Sequence, residues 1–254
     1  MKDREILTFT DCLQKNIRRE LSRFPGFGCV TWTCSGSHTD LCTGDFLYSG
    51  EIIAAHMQKL DWESLSDFSL LRKEGAVIEK LMLNALQNRN TYKGLLFLSL
   101  ILAQSYMKGI QQRNLSAYIR QFCLPVFKDY DQSSHFRSAR LHTLGVRDIR
   151  RIACSGFAEL FSINQALKEE KENDLLRTVL LIATIDDTTT IHRSDIATLR
   201  YVQQWAASLL KLPHDSAEFQ EGACRLNQFY LTNNLTSGGV ADLFILSHML
   251  DELF

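Results

Sequence analysis

Residues 6–24 read ILTFTDCLQKNIRRELSRF, with apolar side chains at Ile6, Phe9, Cys12 and Leu13 and then at Ile17, Leu21 and Phe24. Intervals of three and four residues put these side chains on one stripe of an α-helix. The same interval recurs through most of the chain, and the strict alternation of a half-buried strand is scarce. Further helices are therefore predicted over 50–59, 64–87, 92–108, 115–127, 149–171, 175–184, 195–211, 217–233 and 239–253. The punctuation between them is short: Phe24-Pro25-Gly26-Phe27-Gly28, Ser35-Gly36-Ser37, the stretch 129–134, Leu212-Pro213-His214-Asp215 and Thr236-Ser237-Gly238-Gly239. Ser194 or Asp195, and Ser237, stand where a short side-chain oxygen can cap the helix that follows. No internal repeat is visible. The prediction is an all-α fold, a single compact domain of about nine or ten helices spanning the whole chain.

Composition narrows the function classes. With 28 Lys+Arg against 29 Asp+Glu among 254 residues, the net charge is −1, which argues against a nucleic-acid partner held by bulk charge. The longest apolar run, Leu95 to Ala103, is about half a membrane span and is interrupted by Ser99, so no membrane partner is expected. The charged opening MKDREILTFTDCLQKNIRRE does not read as a signal peptide. Seven cysteines fit reduced thiols in a cytoplasmic protein better than a disulfide framework. Cys29, Cys34, His38 and Cys42 are zinc-ligand residue types, but their spacing lacks the tight knuckle of structural zinc sites, so the thiols read as small core residues.

Five polar islands interrupt the helical pattern. Ser35-Gly36-Ser37-His38-Thr39-Asp40 sets an imidazole and a carboxylate two residues apart, suited to binding a metal or polarising a hydroxyl, or simply to a capped turn. Asn90-Thr91-Tyr92-Lys93-Gly94 precedes the most apolar helix, where Lys93 could meet a phosphate beside exposed backbone amides. Arg147-Asp148-Ile149-Arg150-Arg151 offers guanidinium forks that read as a phosphate clamp or as a solvated cluster. Asp186-Asp187-Thr188-Thr189-Thr190-Ile191-His192-Arg193 suits a Mg²⁺–phosphate site, since Mg²⁺ takes one or two carboxylates and shares its remaining positions with phosphates; the alternative is a helix-end loop. Asn233 to Leu243 opens a helix with Gly238-Gly239 and puts Asp242 one turn inside.

Taken in order, these islands resemble the triphosphoribosyl-dephospho-CoA synthase family. The family's GsHxDM motif is matched by Gly36-Ser37-His38-Thr39-Asp40-Leu41, and its R-x2-G-x3-E-x2-M segment by Arg72, Gly75, Glu79 and Met82. NTHKG is matched by Asn90-Thr91-Tyr92-Lys93-Gly94, and the GARGEA region by Asp148-Ile149-Arg150-Arg151-Ile152-Ala153. DTN-x3-R corresponds to Asp187-Thr188-Thr189 with Arg193, and N-x-SPGG-x-ADLL to Asn234 with Ser237-Gly238-Gly239-Val240-Ala241-Asp242-Leu243.

The resemblance implies a transferase acting on ATP and 3′-dephospho-CoA, which makes a prosthetic-group precursor for citrate lyase or malonate decarboxylase. A ribose hydroxyl of dephospho-CoA would attack the anomeric carbon of ATP's ribose, and adenine would leave while the triphosphate stays attached. It implies roles for His38, Asp40 and Asp187 in catalysis, and for Asn90, Lys93, Arg150, Arg193, Gly238, Gly239 and Asp242 in substrate binding. Asp187 and Asp186 would hold Mg²⁺. A second copy of the chain is a further candidate partner. The chain departs from the family at Ile152, where the family has glutamate, and at Tyr92, Ser194-Asp195 and Ser237. An isoleucine neither binds Mg²⁺ nor moves a proton. A non-catalytic nucleotide- or CoA-binding homologue, and a transferase with a changed acceptor, therefore stand beside the synthase.

Overall fold

A computed structural model describes residues 2–130 and 141–254, and within them every regular element is a helix. The helices are α1 (Lys2–Leu21), α2 (Thr43–Met57), α3 (Phe68–Ala85), α4 (Lys93–Met107), α5 (Gln112–Phe122), α6 (Ile149–Cys154), α7 (Ala158–Ala166), α8 (Asp174–Thr184), α9 (Thr188–Arg193), α10 (Ile196–Leu209), α11 (Ala217–Thr232) and α12 (Gly238–Leu253), with a 3-10 helix at Leu124–Tyr130. The predicted all-α class is what the chain adopts. Positions 131–134 of the predicted 129–134 connection lie outside the described residues.

The stripe that opens the sequence is the buried face of α1, with Phe9, Leu13, Ile17 and Leu21 removed from solvent. α4 and α12 are apolar nearly all round and so belong inside the protein rather than on its surface. α12 packs against α1, α4, α7, α8 and α9, and buried apolar residues from Ile6 to Leu250 join in one cluster around it. No helix among the described residues is long and apolar enough to cross a membrane. All seven cysteines are free thiols. Cys29 is buried as expected, whereas Cys34 and Cys42 are exposed and are not the small core residues the sequence suggests.

Three local differences have physical causes. The predicted 149–171 helix is two, because Gly156 and Phe157 both take positive φ (72° and 60°) and turn the chain between α6 and α7. The Asp-Thr-Thr-Thr stretch forms α9 instead of an open loop, since Asp187 caps it by accepting from Thr189 and Thr190 N–H. Asp195 caps α10 through Thr198 N–H as predicted, but the Ser237 hydroxyl does not cap α12 and donates instead to the Phe27 carbonyl at 2.9 Å.

Candidate active site

α3 and α4 line a trough with residues spaced at three and four, namely Phe68, Leu71, Arg72, Gly75, Ala76 and Glu79 on α3 and Lys93, Gly94, Leu96, Phe97, Leu100 and Ile101 on α4. A Cβ at Gly75 would lie 2.9 Å from Leu100 Cδ1, so the glycine allows the two helices to approach at the floor. The opposite wall comes from the first turns of α6, α9 and α12. Together they enclose a cavity of about 610 Å³. Asn90, Lys93, Arg150, Gly238, Gly239 and Asp242 are brought together on its walls; His38, Asp40, Asp186, Asp187 and Arg193 are not among its lining residues. The first turns of the long helices α4 and α12 point the positive ends of their dipoles at one space.

Asp187 lies behind this wall. Its Oδ1 accepts from Thr189 N–H (2.7 Å), Thr190 N–H (3.2 Å) and the Thr189 hydroxyl (2.5 Å), and its Oδ2 from Val240 N–H (2.9 Å). Four donors use the roughly four lone-pair positions a carboxylate offers. Burial raises its pKa above the ordinary aspartate value, and the hydrogen bonds from Thr189, Val240 and Thr190 only partly oppose that. Asp187 thus joins two helix N-termini, its own α9 and the distant α12.

The glycines serve this junction. A Cβ at Gly239 would stand 3.3 Å from the Asp187 carboxylate, and one at Gly238 would stand 3.2 Å from Thr189 Cγ2, while Gly238 N–H donates to Thr189 Oγ1 at 2.8 Å. The neighbouring Asp186 turns the other way, accepting from Arg200 (2.5 Å), Gln203 (3.2 Å) and Arg147 N–H (2.9 Å). As arranged, the Asp186–Asp187 pair does not fit a shared Mg²⁺: the two carboxylates belong to separate networks whose donors already occupy them. Among the described residues no three His, Cys, Asp or Glu side chains converge as a metal site.

Asp242, by contrast, faces the cavity while only 8% exposed. It stands against the start of α4, where Leu95 N–H donates to it and where any side chain at Gly94 would collide with its Oδ2. Burial, followed by the nearby carboxylates of Asp187 and Glu20, pushes its pKa well above the usual range, against the Leu95 hydrogen bond. The other carboxylates on the wall are Glu79, 2.6 Å from Lys93 Nζ, and Asp148, which caps α6 through Arg151 N–H and accepts from the Tyr130 hydroxyl. Arg72 makes a two-pronged pair with Asp129 (2.8 and 2.6 Å), and Arg150 Nε lies 3.7 Å from the same carboxylate.

His38 and Arg193 form a brace across the loops leading to this wall. Arg193 donates to the Ser37 carbonyl (2.6 Å), the Asn234 carbonyl (3.1 Å) and His38 Nδ1 (3.3 Å), which assigns the proton to Nε2, itself 3.3 Å from Thr236 Oγ1. Burial and then Arg193 lower the His38 pKa, outweighing Asp40 at 4.0 Å, so the imidazole is neutral. Gly36 takes φ 60° where a Cβ would strike the Cys29 and Gly28 carbonyls, which holds this turn against residues 28–29.

Arg72, Glu79, Asp148, Thr188, Thr189 and His192 line the cavity without having been assigned roles from sequence. Arg72, Gly75 and Glu79 share one helical face, and the R-x2-G-x3-E-x2-M match marks Arg72 and Glu79 in the sequence without giving them a role. Tyr92 is fully buried against Phe46, and Ile152 is 1% exposed in the core; neither lines the cavity.

A family model described as ATP:dephospho-CoA triphosphoribosyl transferase (CitG) matches residues 7–254. A probable 2-(5''-triphosphoribosyl)-3'-dephosphocoenzyme-A synthase of Vibrio cholerae serotype O1 is 28% identical, covering 92% of this chain and 84% of that protein. The synthase of Klebsiella pneumoniae is 28% identical over 94% of this chain and 88% of its own length, and that of Pectobacterium atrosepticum 27% over 91% and 84%. No solved structure matches.

Proposed function

The chain belongs to the ATP:dephospho-CoA triphosphoribosyl transferase family, and on that premise we propose that it transfers the triphosphoribosyl group of ATP to 3′-dephospho-CoA within the cavity between α3, α4, α6 and α12. One observation carries the reading: two long helix N-termini, Lys93 and Asn90 converge on one space, as a polyphosphate requires. In the reaction an acceptor ribose hydroxyl forms a bond to the anomeric carbon of ATP's ribose, the bond from that carbon to adenine breaks, the hydroxyl loses a proton and adenine gains one. Lys93 and the positive dipole ends of α4 and α12 orient the triphosphate. Asp242 is the wall carboxyl whose pKa burial raises above the ordinary aspartate value, and we assign it the proton that adenine takes on leaving.

Mg²⁺ enters this proposal with ATP. Among the described residues Lys93 is paired with Glu79, and Arg72 and Arg150 approach Asp129, and Mg²⁺ would neutralise further charge on the triphosphate. His38 and Arg193 act as positioning residues that hold the loop before Gly238. The loss of the family glutamate at Ile152 leaves Glu79, Asp148 and Asp242 on the wall, which favours an active enzyme over a binding homologue. Seven free thiols support a cytoplasmic setting, and the product would serve citrate lyase or malonate decarboxylase. Incubation with ATP, Mg²⁺ and 3′-dephospho-CoA, following adenine release and adduct mass, tests this. Adenine with a triphosphoribosyl adduct is expected; binding of both substrates without adenine release would refute the assignment of catalysis.

A further inference from the structure

Among the described residues the cavity has two cationic centres. One is Lys93 with Glu79, beside the N-termini of α4 and α12; the other is Arg72 with Arg150 around the buried Asp129. Arg72 and Glu79 lie seven residues apart on one face of α3, which separates the centres by about 10 Å along the helix axis. Their surroundings differ as much as their positions. Beside Lys93 the wall is polar, with Asn90, Thr189 and Asp242. Beside Arg72 it is apolar: Phe68, whose ring the Arg72 guanidinium overlies at 6.0 Å, then Leu71, Leu100 and Ile101. From Lys93 to Ile101 the floor changes from charged to fully apolar over about 12 Å of α4.

We propose that the Arg72–Arg150 centre takes the diphosphate of the acceptor, with its pantetheine arm laid along the apolar floor between α3 and α4, while ATP's triphosphate occupies the Lys93 end. The assignment rests on the function proposed above and adds which substrate goes to which end. A guanidinium pair beside an extended apolar slot is complementary to a nucleoside diphosphate that carries a long, weakly polar arm, and ATP has no such arm. Asp129 accepts from both terminal nitrogens of Arg72 and lies 3.7 Å from Arg150 Nε, which holds the two forks at one end of the slot. The triphosphate, which has more charge and no apolar extension, matches the end where helix dipoles converge.

The test is equilibrium binding of Mg-ATP and of 3′-dephospho-CoA, titrated separately by calorimetry into the full chain and two variants. Arg72→Gln removes one fork. Phe68→Ala removes an apolar side chain at the Arg72 end of the floor. Both variants are expected to weaken dephospho-CoA by about tenfold or more, the scale of one charged hydrogen bond or a lost apolar contact, and to leave ATP within about twofold. Equal losses for both ligands, a loss confined to ATP, or no change in either would overturn the assignment while the proposed function stands. Failure of the unmodified chain to bind dephospho-CoA would overturn the proposed function itself, and this assignment with it.

Discussion

Restoring glutamate at position 152 is the sharpest perturbation of the view that this side chain belongs to the core. Ile152 is 1% exposed and absent from the cavity wall. In Ile152→Glu, removing the buried isoleucine forfeits about 2 kcal/mol of burial. A buried carboxyl is held neutral, and at pH 7 protonating a group of ordinary pKa near 4.3 costs roughly 1.36 kcal/mol for each of about 2.7 units, or about 3.7 kcal/mol. An unsatisfied neutral carboxyl adds about 1–3 kcal/mol. The total rivals the whole stability of a typical domain, about 5–15 kcal/mol. The folded-state pKa is raised, so the ionisation part of the loss is absent below the unfolded value and grows as pH rises through neutrality. Urea unfolding at pH 7 and pH 4.5 should show the variant far less stable than the parent at neutral pH, with about 3 kcal/mol of the gap recovered on acidification. A variant within about 1 kcal/mol of the parent at pH 7, or one that gains turnover, would refute the placement of residue 152 in the core.

Asp187→Asn keeps the volume but sets an NH₂ against donors that now meet a carboxylate, and should cost about 1–3 kcal/mol in thermal unfolding while the Mg²⁺ response of the remaining turnover is unchanged; native melting with a lost Mg²⁺ response would restore Asp187 as a ligand. Asp242→Asn should flatten the pH dependence of stability. Asp242 keeps its proton in the folded state above the ordinary aspartate value, so its contribution is complete below that value and is lost as pH rises; the variant therefore gains on the parent between pH 4 and pH 8, and parallel curves would count against a protonated Asp242. The same variant should suppress adenine release, since an amide is a poor acid. Gly94→Ala should destabilise by about 1–3 kcal/mol through collision with Asp242, and the penalty should shrink in an Asp242→Ser background; a penalty unaffected by the second substitution would place the clash elsewhere.

Periodicity made α1, α4 and α12 legible in the sequence because their apolar spacing is dictated by burial along a single helix. It could not show the break at Phe157, where a bulky residue takes a positive φ that its neighbours in the fold impose. Nor could it show α9, which exists because Asp187 caps it against the poor helix propensity of three threonines. The cavity was half legible. Asn90, Lys93, Arg150 and Asp242 stood out by residue type, but Asp187 and Val240 are partners 53 residues apart, and nothing local says that the carboxylate is spent on a helix end. His38 looked catalytic and Arg193 looked substrate-binding for the same reason: their chemistry was visible, and the carbonyls that engage Arg193 were not.

The position of α12 bears on how the protein acquires its shape during synthesis. α1 ends at Leu21; of the helices it packs against, α2 begins at Thr43 but α12 only at Gly238. At translation rates of roughly 5–20 residues per second, the part of α1 that α12 covers waits on the order of ten seconds or more for that helix to be made. During that interval the earlier helices have no complete core to enter. The α1–α12 contact therefore closes late, and the apolar surface it covers stays open on the emerging chain until α12 is made.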